Sequence, residues 1–415
     1  MTAEPLLDRD WDTALARRTH ALGGGEITAI LALAGASDII TFSGGFPDPA
    51  TFPVGVLSGI AADLIGRDAG VALQYSPTEG LAGLRDYVTA RQAALEGRTP
   101  GPGELMITSG GIDCMELLAK SYIDPGDVVV TEEPTYLGAI MAFRGYEADV
   151  RGVPADSDGL RVDILADLLA GGLRPKIVYT IPDYQNPTGL SLSRERRQAL
   201  VDLARRHGFL ICEDVAYREL GFGAGPGRES GTGPSLWSLG PDVVLQVGTF
   251  SKIFSPGFRM GWASGPAQII GRLTVAKQNS DQCAGALGQR LFEEYGRGGH
   301  LERQLVASRE LYARRAALTV EALAAHMPEE STWTTPQGGF YVWLTLPGGI
   351  DTVALSAAAR AAKVAYVPGR PFYVGDGGTS QIRLCYSRIA DDMIDEGIRR
   401  IAVVARAALD ASATR

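Results

Sequence analysis

One lysine sits in the middle of the segment Gly248-Thr249-Phe250-Ser251-Lys252-Ile253-Phe254-Ser255-Pro256-Gly257-Phe258-Arg259-Met260-Gly261-Trp262. Directly before that segment the apolar run Val243-Val244-Leu245-Gln246-Val247 reads as a buried strand, which places Lys252 just past a strand end. Thr249 and Ser251 precede the lysine and Arg259 follows it by seven residues. An amine, two hydroxyls and a fixed cation can thus converge on one anionic ligand. An aldehyde carrying a phosphate fits that set. The competing reading is a surface lysine that merely closes a strand, and the other strand ends decide between the two.

The run Leu105-Met106-Ile107-Thr108 leads into Ser109-Gly110-Gly111-Ile112-Asp113 and then a helical stretch from Cys114 to Lys120. Small residues let backbone N–H groups approach a phosphate, and a helix N-terminus favours its charge. A plain tight turn is the alternative, and the pattern is neither a dinucleotide fingerprint nor a Walker loop. The run Ile177-Val178-Tyr179-Thr180-Ile181 leads to Asn186-Pro187-Thr188-Gly189, and Phe209-Leu210-Ile211-Cys212 leads to Glu213-Asp214-Val215-Ala216-Tyr217. A carboxylate at the end of a wholly apolar strand is costly unless it meets a cation, so Asp214 calls for one. A protonated pyridine nitrogen would serve, with Tyr217 and the Asn186 amide reaching an oxygen on the same ring. The plainer readings are a helix N-cap at Asp214 and an ordinary turn at Asn186.

These groups need a scaffold, and the pattern of runs supplies one. From about residue 104 to 265 short apolar runs, including Val128-Val129-Val130-Thr131 and Met260-Gly261-Trp262-Ala263, alternate with helical stretches. That order predicts an α/β fold: a mostly parallel sheet covered by helices on both faces, with its ligand at the carboxyl ends of the strands. Beyond about residue 310 a long Ala/Arg/Leu helix is followed by the strand-like runs Gly339-Phe340-Tyr341-Val342-Trp343-Leu344 and Gln381-Ile382-Arg383-Leu384-Cys385-Tyr386. We therefore expect a large domain over 61–310 and a smaller α+β domain over 311–415. Residues 1–60, with Gly23-Gly24-Gly25 and a proline-rich stretch from Phe46 to Pro53, form an arm and a piece of the small domain.

The 415 residues are 45% hydrophobic and 21% charged, the balance of a soluble globular protein. The net charge of −9 is spread over short alternations, which predicts neither a nucleic-acid face nor a membrane patch. Cys114, Cys212, Cys283 and Cys385 are far apart and the four histidines are scattered, so no metal site is expected and the thiols suit a reducing cytoplasm. No secretory signal or bilayer-length apolar run is read.

Asn186-Pro187-Thr188-Gly189, Glu213-Asp214-x-x-Tyr217 and Ser251-Lys252-x-x-x-Pro256-Gly257-x-Arg259-x-Gly261 follow one another in that order. Together they resemble the fold type I pyridoxal-phosphate aminotransferases of class I/II, from Gly44-Gly45-Phe46-Pro47 to Ile382-Arg383-Leu384. Glu133-Pro134-Thr135-Tyr136 and Tyr366-Val367-Pro368-Gly369 are similar to the group that holds 2-aminoadipate and kynurenine aminotransferases and the aminotransferase-like domain of MocR regulators.

The resemblance implies pyridoxal 5'-phosphate as cofactor, Schiff-bonded to Lys252, which then moves the substrate proton. It implies that Asp214 keeps the pyridine nitrogen protonated, that Tyr217 and Asn186 bind the ring hydroxyl, and that Tyr136 stacks on the ring. The phosphate goes to Gly110, Gly111, Ile112, Thr249, Ser251 and Arg259, and to Tyr75 of a neighbouring subunit, which requires a homodimer with its active sites at the interface. Arg383 and Gly45 take the substrate carboxylate end, with Asn186 as a further substrate contact. The implied reaction is ping-pong transfer of an amino group between an L-α-amino acid and a 2-oxo acid such as 2-oxoglutarate or pyruvate.

Two positions depart from the family pattern. Gly111-Ile112-Asp113 lacks the usual hydroxyl, which leaves backbone donors for that contact. Thr28 stands where relatives that bind acidic side chains carry arginine, so neutral, aromatic or basic donors are expected. Glu26, Asp113 or Asp281 are candidates to meet a basic one. The same scaffold also hosts decarboxylases, lyases and oxidases, and non-catalytic sensors; the absence of a helix-turn-helix unit before Gly44 argues against the sensor reading.

Overall fold

The computed structural model describes residues 11–21, 25, 28, 38–223 and 233–413. Gly23, Gly24 and Glu26, named above, and residues 224–232 lie outside the described residues. In chain order the strands are β1 (Ile40–Thr41), β2 (Leu105–Thr108), β3 (Val128–Glu133), β4 (Asp149–Asp156), β5 (Gly159–Leu160), β6 (Ile177–Thr180) and β7 (Leu210–Asp214). They continue as β8 (Val244–Thr249), β9 (Gly261–Ser264), β10 (Thr332–Trp333), β11 (Tyr341–Thr345), β12 (Val364–Ala365), β13 (Val367–Pro368) and β14 (Gln381–Cys385).

All six apolar runs of the 104–265 region join one eight-stranded sheet of order β2-β9-β8-β7-β6-β3-β4-β5. Pairings β4-β3, β3-β6, β6-β7 and β7-β8 are parallel. The alternation of side chains across a strand explains why these runs are apolar throughout. Val129, Ile177, Cys212 and Leu245 enter one buried cluster with the helix Gly111–Tyr122. Their neighbours Val130, Val178, Ile211 and Val244 enter another on the opposite face, with the helices Val162–Ala170 and Arg194–His207.

A parallel direction for every run is not what forms. β9 runs antiparallel to both β8 and β2. The reason is the connection: between Thr249 and Gly261 there is only a single turn of 3-10 helix, Pro256–Phe258, and without a crossover helix the chain can only turn back. β2 and β8 therefore still share a direction, so their carboxyl ends and the amino end of β9 lie along one edge. The short edge strand β5 and most of β4 were not legible as apolar runs, because β4 carries Asp149, Arg151 and Pro154 on a half-exposed strand.

The second unit is built on the antiparallel sheet β10-β11-β14-β13. β1 pairs in parallel with β12, so the segment after residue 38 is hydrogen-bonded into the C-terminal region. The helix His300–His326 starts ten residues before the change of pattern read at 310 and runs through that position without a break. Among the described residues no helix is long and apolar enough to cross a membrane.

Candidate active site

The shared strand edge opens into a cavity of about 280 Å³. Gly45, Gly111, Ile112, Tyr136, Asn186, Asp214, Tyr217, Thr249, Ser251, Lys252, Arg259 and Arg383 all line it. Residues more than 330 positions apart in sequence therefore face one space, because β7, β8 and β6 end side by side while β14 brings Arg383 from the second unit.

Lys252 is three residues past β8, and its Nζ donates to the Gly45 carbonyl at 2.7 Å. Burial first, and then the Arg383 and Arg259 guanidinium groups, push its pKa down from 10.5 to about 8; Cys385 and Asp214 oppose them. A lysine in this state is a neutral nucleophile over part of the physiological range.

Asp214 closes β7 with its side chain buried. One carboxylate oxygen accepts from the Tyr179 hydroxyl at 2.8 Å and the other from the Ala216 N–H at 3.1 Å. The local contact to Ala216 is the turn-type bond that the plainer reading anticipated, but it uses only one oxygen. Burial raises the carboxyl pKa against the pull of those donors and of Lys252. This carboxylate has no ion-pair partner among the described residues, so a cation supplied from the cavity would stabilise it. Tyr179 was missed by the sequence reading. Its signal was present: a tyrosine inside the apolar run of β6, in register with Cys212 and hence on the face that carries Asp214, has to satisfy its hydroxyl.

Asn186 reaches the site on a braced loop. Gln185 donates to Glu132 at 2.8 Å and to the Pro134 carbonyl at 2.7 Å, and it accepts from the Thr188 N–H and hydroxyl. That one amide ties the loop after β6 to the loop after β3 that presents Tyr136. Below it, the fully buried Asp183 pairs with Arg197 at 2.6 Å and Arg218 at 2.9 Å. Asn186 itself accepts from Arg383 Nη1 at 3.0 Å, which leaves its NH₂ group for a ligand.

Arg383 is a buried guanidinium whose partners are all neutral. Besides Asn186, its Nη2 donates to the Ser43 and Gly44 carbonyls at 3.1 Å each, and its Nε has no partner among the described residues. Tyr341 and Phe372 flank it, with ring centres 4.6 and 4.9 Å from Cζ. Such a cation, held in plane and short of a carboxylate, is built for an anion that comes and goes. Tyr341 and Phe372 were not among the expected site residues. They line the cavity together with Phe46, Met115 and Leu137.

At the other end lies an anion cradle. The helix Gly111–Tyr122 begins without any side-chain cap, and its first two residues, Gly111 and Ile112, line the cavity, so helix N-terminal N–H groups are left for a ligand there. Gly110 precedes it at φ 103° and ψ 174°, a conformation that only glycine adopts readily, and a Cβ there would stand 2.9 Å from Arg259 Nη2. Thr249 donates to the Ser251 hydroxyl at 3.0 Å, and Arg259, just before β9, reaches Ser251 at 3.5 Å. Arg259 has no carboxylate partner among the described residues; the antiparallel course of β9 is what delivers it to this edge.

Other expectations fall elsewhere. Asp113 and Asp281 do not line the cavity; both are held by the buried Lys277, at 2.9 and 2.7 Å, behind the cradle. They are thus not available to a cationic substrate. Tyr75 lies on the surface, 79% exposed, outside the cavity of its own chain. Thr28 is exposed.

The donor set matches pyridoxal phosphate group by group: an uncapped helix N-terminus with an unpaired arginine, a buried carboxylate lacking a cation, and an activated amine. Comparison with known proteins agrees. The family model "Aminotransferase class I and II" matches residues 38–401. The aromatic-amino-acid aminotransferase 1 of Thermococcus litoralis is 36% identical over 95% of this chain and 94% of its own. The crystal structure of Pyrococcus horikoshii kynurenine aminotransferase in complex with PMP superposes with a TM-score of 0.90 at 36% identity, covering 97% of this chain and 99% of that one. The α-aminoadipate aminotransferase of Thermus thermophilus, complexed with N-(5'-phosphopyridoxyl)-L-leucine, gives 0.89 at 34% identity, covering 97% and 100%. The chain therefore belongs to the class I and II aminotransferases, pyridoxal-phosphate enzymes that move an amino group between an amino acid and a 2-oxo acid.

Proposed function

We propose that this aminotransferase acts on L-α-amino acids with apolar or aromatic side chains, with a 2-oxo acid such as pyruvate or 2-oxoglutarate as acceptor. The observation that carries this is the cavity wall. Among the described residues its charged side chains are Asp214, Lys252, Arg259 and Arg383, and the remaining surface is largely Phe46, Met115, Leu137, Tyr341 and Phe372. Each charged group has a task, so none is left over for a charged substrate side chain. A basic donor, left open by the sequence, loses its candidate partners Asp113 and Asp281 to Lys277.

Pyridoxal phosphate, when bound, supplies an electron-withdrawing ring that makes the substrate α-proton removable. In this reading Lys252 holds the cofactor and carries the proton. Asp214 keeps the ring nitrogen protonated, Tyr217 and the Asn186 NH₂ donate to the ring oxygen, and Tyr136 covers the ring face. Gly110, Gly111, Ile112, Thr249, Ser251 and Arg259 hold the phosphate. Arg383 binds the substrate carboxylate beside Gly45, where a Cβ would stand 2.7 Å from the Tyr341 hydroxyl. We further propose a homodimer in which Tyr75 of the partner subunit completes the phosphate site; in its own chain Tyr75 is exposed and lies outside the cavity. The division into units over 61–310 and 311–415, and a cytoplasmic setting suited to four free thiols, belong to the same reading.

A donor panel scored by loss of the cofactor's visible band tests the substrate class. Phenylalanine and leucine should bleach it at least ~30-fold more efficiently than lysine or aspartate, since a charged side chain would lose its hydration without a partner. Equal or faster bleaching by lysine would refute the apolar pocket. Arg383→Ala should lower kcat/KM by about 10²-fold with the cofactor still bound, because a charge-assisted fork is lost. Arg383→Lys should recover little of it. An unchanged KM in the alanine variant would remove the carboxylate role.

A further inference from the structure

Tyr341 stands between the two ends of the cavity and touches both. Its hydroxyl lies 3.0 Å from the Tyr217 hydroxyl, both groups being buried. Its ring stacks on the Arg383 guanidinium at 4.6 Å, and it meets the Tyr217 ring edge-on with centres 5.7 Å apart. The register explains the placement: in the β11–β14 ladder Tyr341 pairs with Cys385 and Trp343 with Arg383, so Tyr341 sits diagonally across from the arginine on the adjacent strand. Burial raises the pKa of both hydroxyls, Tyr217's well above the ordinary tyrosine value, so each stays protonated at working pH.

We infer that Tyr341 is a positioning residue that couples the cofactor end of the site to the carboxylate end: its hydroxyl fixes the proton of Tyr217, and its ring fixes the plane of Arg383. The inference rests on the reading of Tyr217 as the donor to the cofactor's ring oxygen. Two facing hydroxyls share one hydrogen bond, and either can be its donor. Once Tyr217 points its proton at the ring oxygen, the bond between the two tyrosines has to run from Tyr341 to Tyr217. A hydroxyl that accepts one hydrogen bond donates the next more strongly. Tyr341 thus strengthens Tyr217 as a donor. A stronger donor stabilises the ring oxygen as an anion and lowers the pH at which the bound cofactor loses its proton.

The test is a pH titration of the holoenzyme's visible band, paired with inhibition by 3-phenylpropanoate, a carboxylate that has no amine to react. Tyr341→Phe keeps the ring and removes the hydroxyl. It should raise the titration midpoint by roughly half a pH unit and leave the inhibition constant within about twofold. Tyr341→Leu removes the ring as well and should weaken inhibition by roughly tenfold, the loss of a buried cation–π contact. In Tyr217→Phe the midpoint should rise further, and adding Tyr341→Phe to it should have no additional effect, because the hydroxyl acts only through Tyr217. An unmoved midpoint in Tyr341→Phe, or additive shifts in the double variant, would overturn the coupling while leaving Tyr217 in place. An unmoved midpoint in Tyr217→Phe itself would overturn the reading of Tyr217 and the coupling with it.

Discussion

Lys252→Ala is expected to abolish the cofactor's visible absorption band and to cut turnover by roughly 10⁴-fold or more, the scale of a lost proton-transfer group, with the covalent hold lost in addition. Among the described residues no other lysine lines the cavity, so none of them offers a neighbouring amine as a substitute. The cavity's phosphate donors remain, and the variant should still bind pyridoxal phosphate non-covalently. Spectra and single-turnover rates check both points; turnover at the native rate would end the assignment. The wild-type apoenzyme offers the matching pH experiment. Its amine has a pKa of about 8 rather than 10.5, so the rate of aldehyde capture should climb with pH and level off above about 8. A climb that continues towards 10.5 would mean an amine in water. The same depression makes a stability statement. The lysine's contribution is nil above 10.5, turns destabilising as pH falls, and is complete below about 8, because the unfolded chain holds the proton more tightly.

Asp214→Asn should lower kcat by about 10³-fold, the scale reached when a preorganised electrostatic partner of the reacting system is removed. Asparagine preserves the shape of the side chain and can still accept from the Ala216 N–H, so the fold is kept. What disappears is the negative charge, and with it the reason for a ring nitrogen to stay protonated in a site where the nearby Lys252, Arg259 and Arg383 all oppose a further cation. The melting temperature should move by only a few degrees, which separates this loss from unfolding. A variant with native kcat and full cofactor content would show that the carboxylate is not the ring's partner.

How far the site was legible in the chain depended on where each group sits along it. Lys252, Asp214, Tyr217 and Asn186 each lie within six residues of a strand end, and an apolar run followed by a polar residue announces such a position without a structure. Gly110 and Gly111 were visible for the same reason. Tyr341 and Phe372 were not, because both sit inside or beside apolar runs of the C-terminal region, where an aromatic residue looks like ordinary core. Only the stacking on Arg383 distinguishes them. Asp113 and Asp281 failed in the opposite way: they look exposed and free in the sequence, yet the buried Lys277, on another helix from Asp113 and one turn before Asp281, pairs with both.

The local chemistry of this protein is a property of its sequence. Strand periodicity, the small residues before the helix at Gly111 and the ordered polar groups at strand ends follow from steric and solvation rules that act over a few residues. The direction of β9, the meeting of Arg383 with Asn186 and the hydroxyl pair of Tyr217 and Tyr341 belong to the tertiary structure alone. They join segments up to 197 residues apart, whose adjacency is set by packing over the whole sheet edge and not by any short stretch of chain.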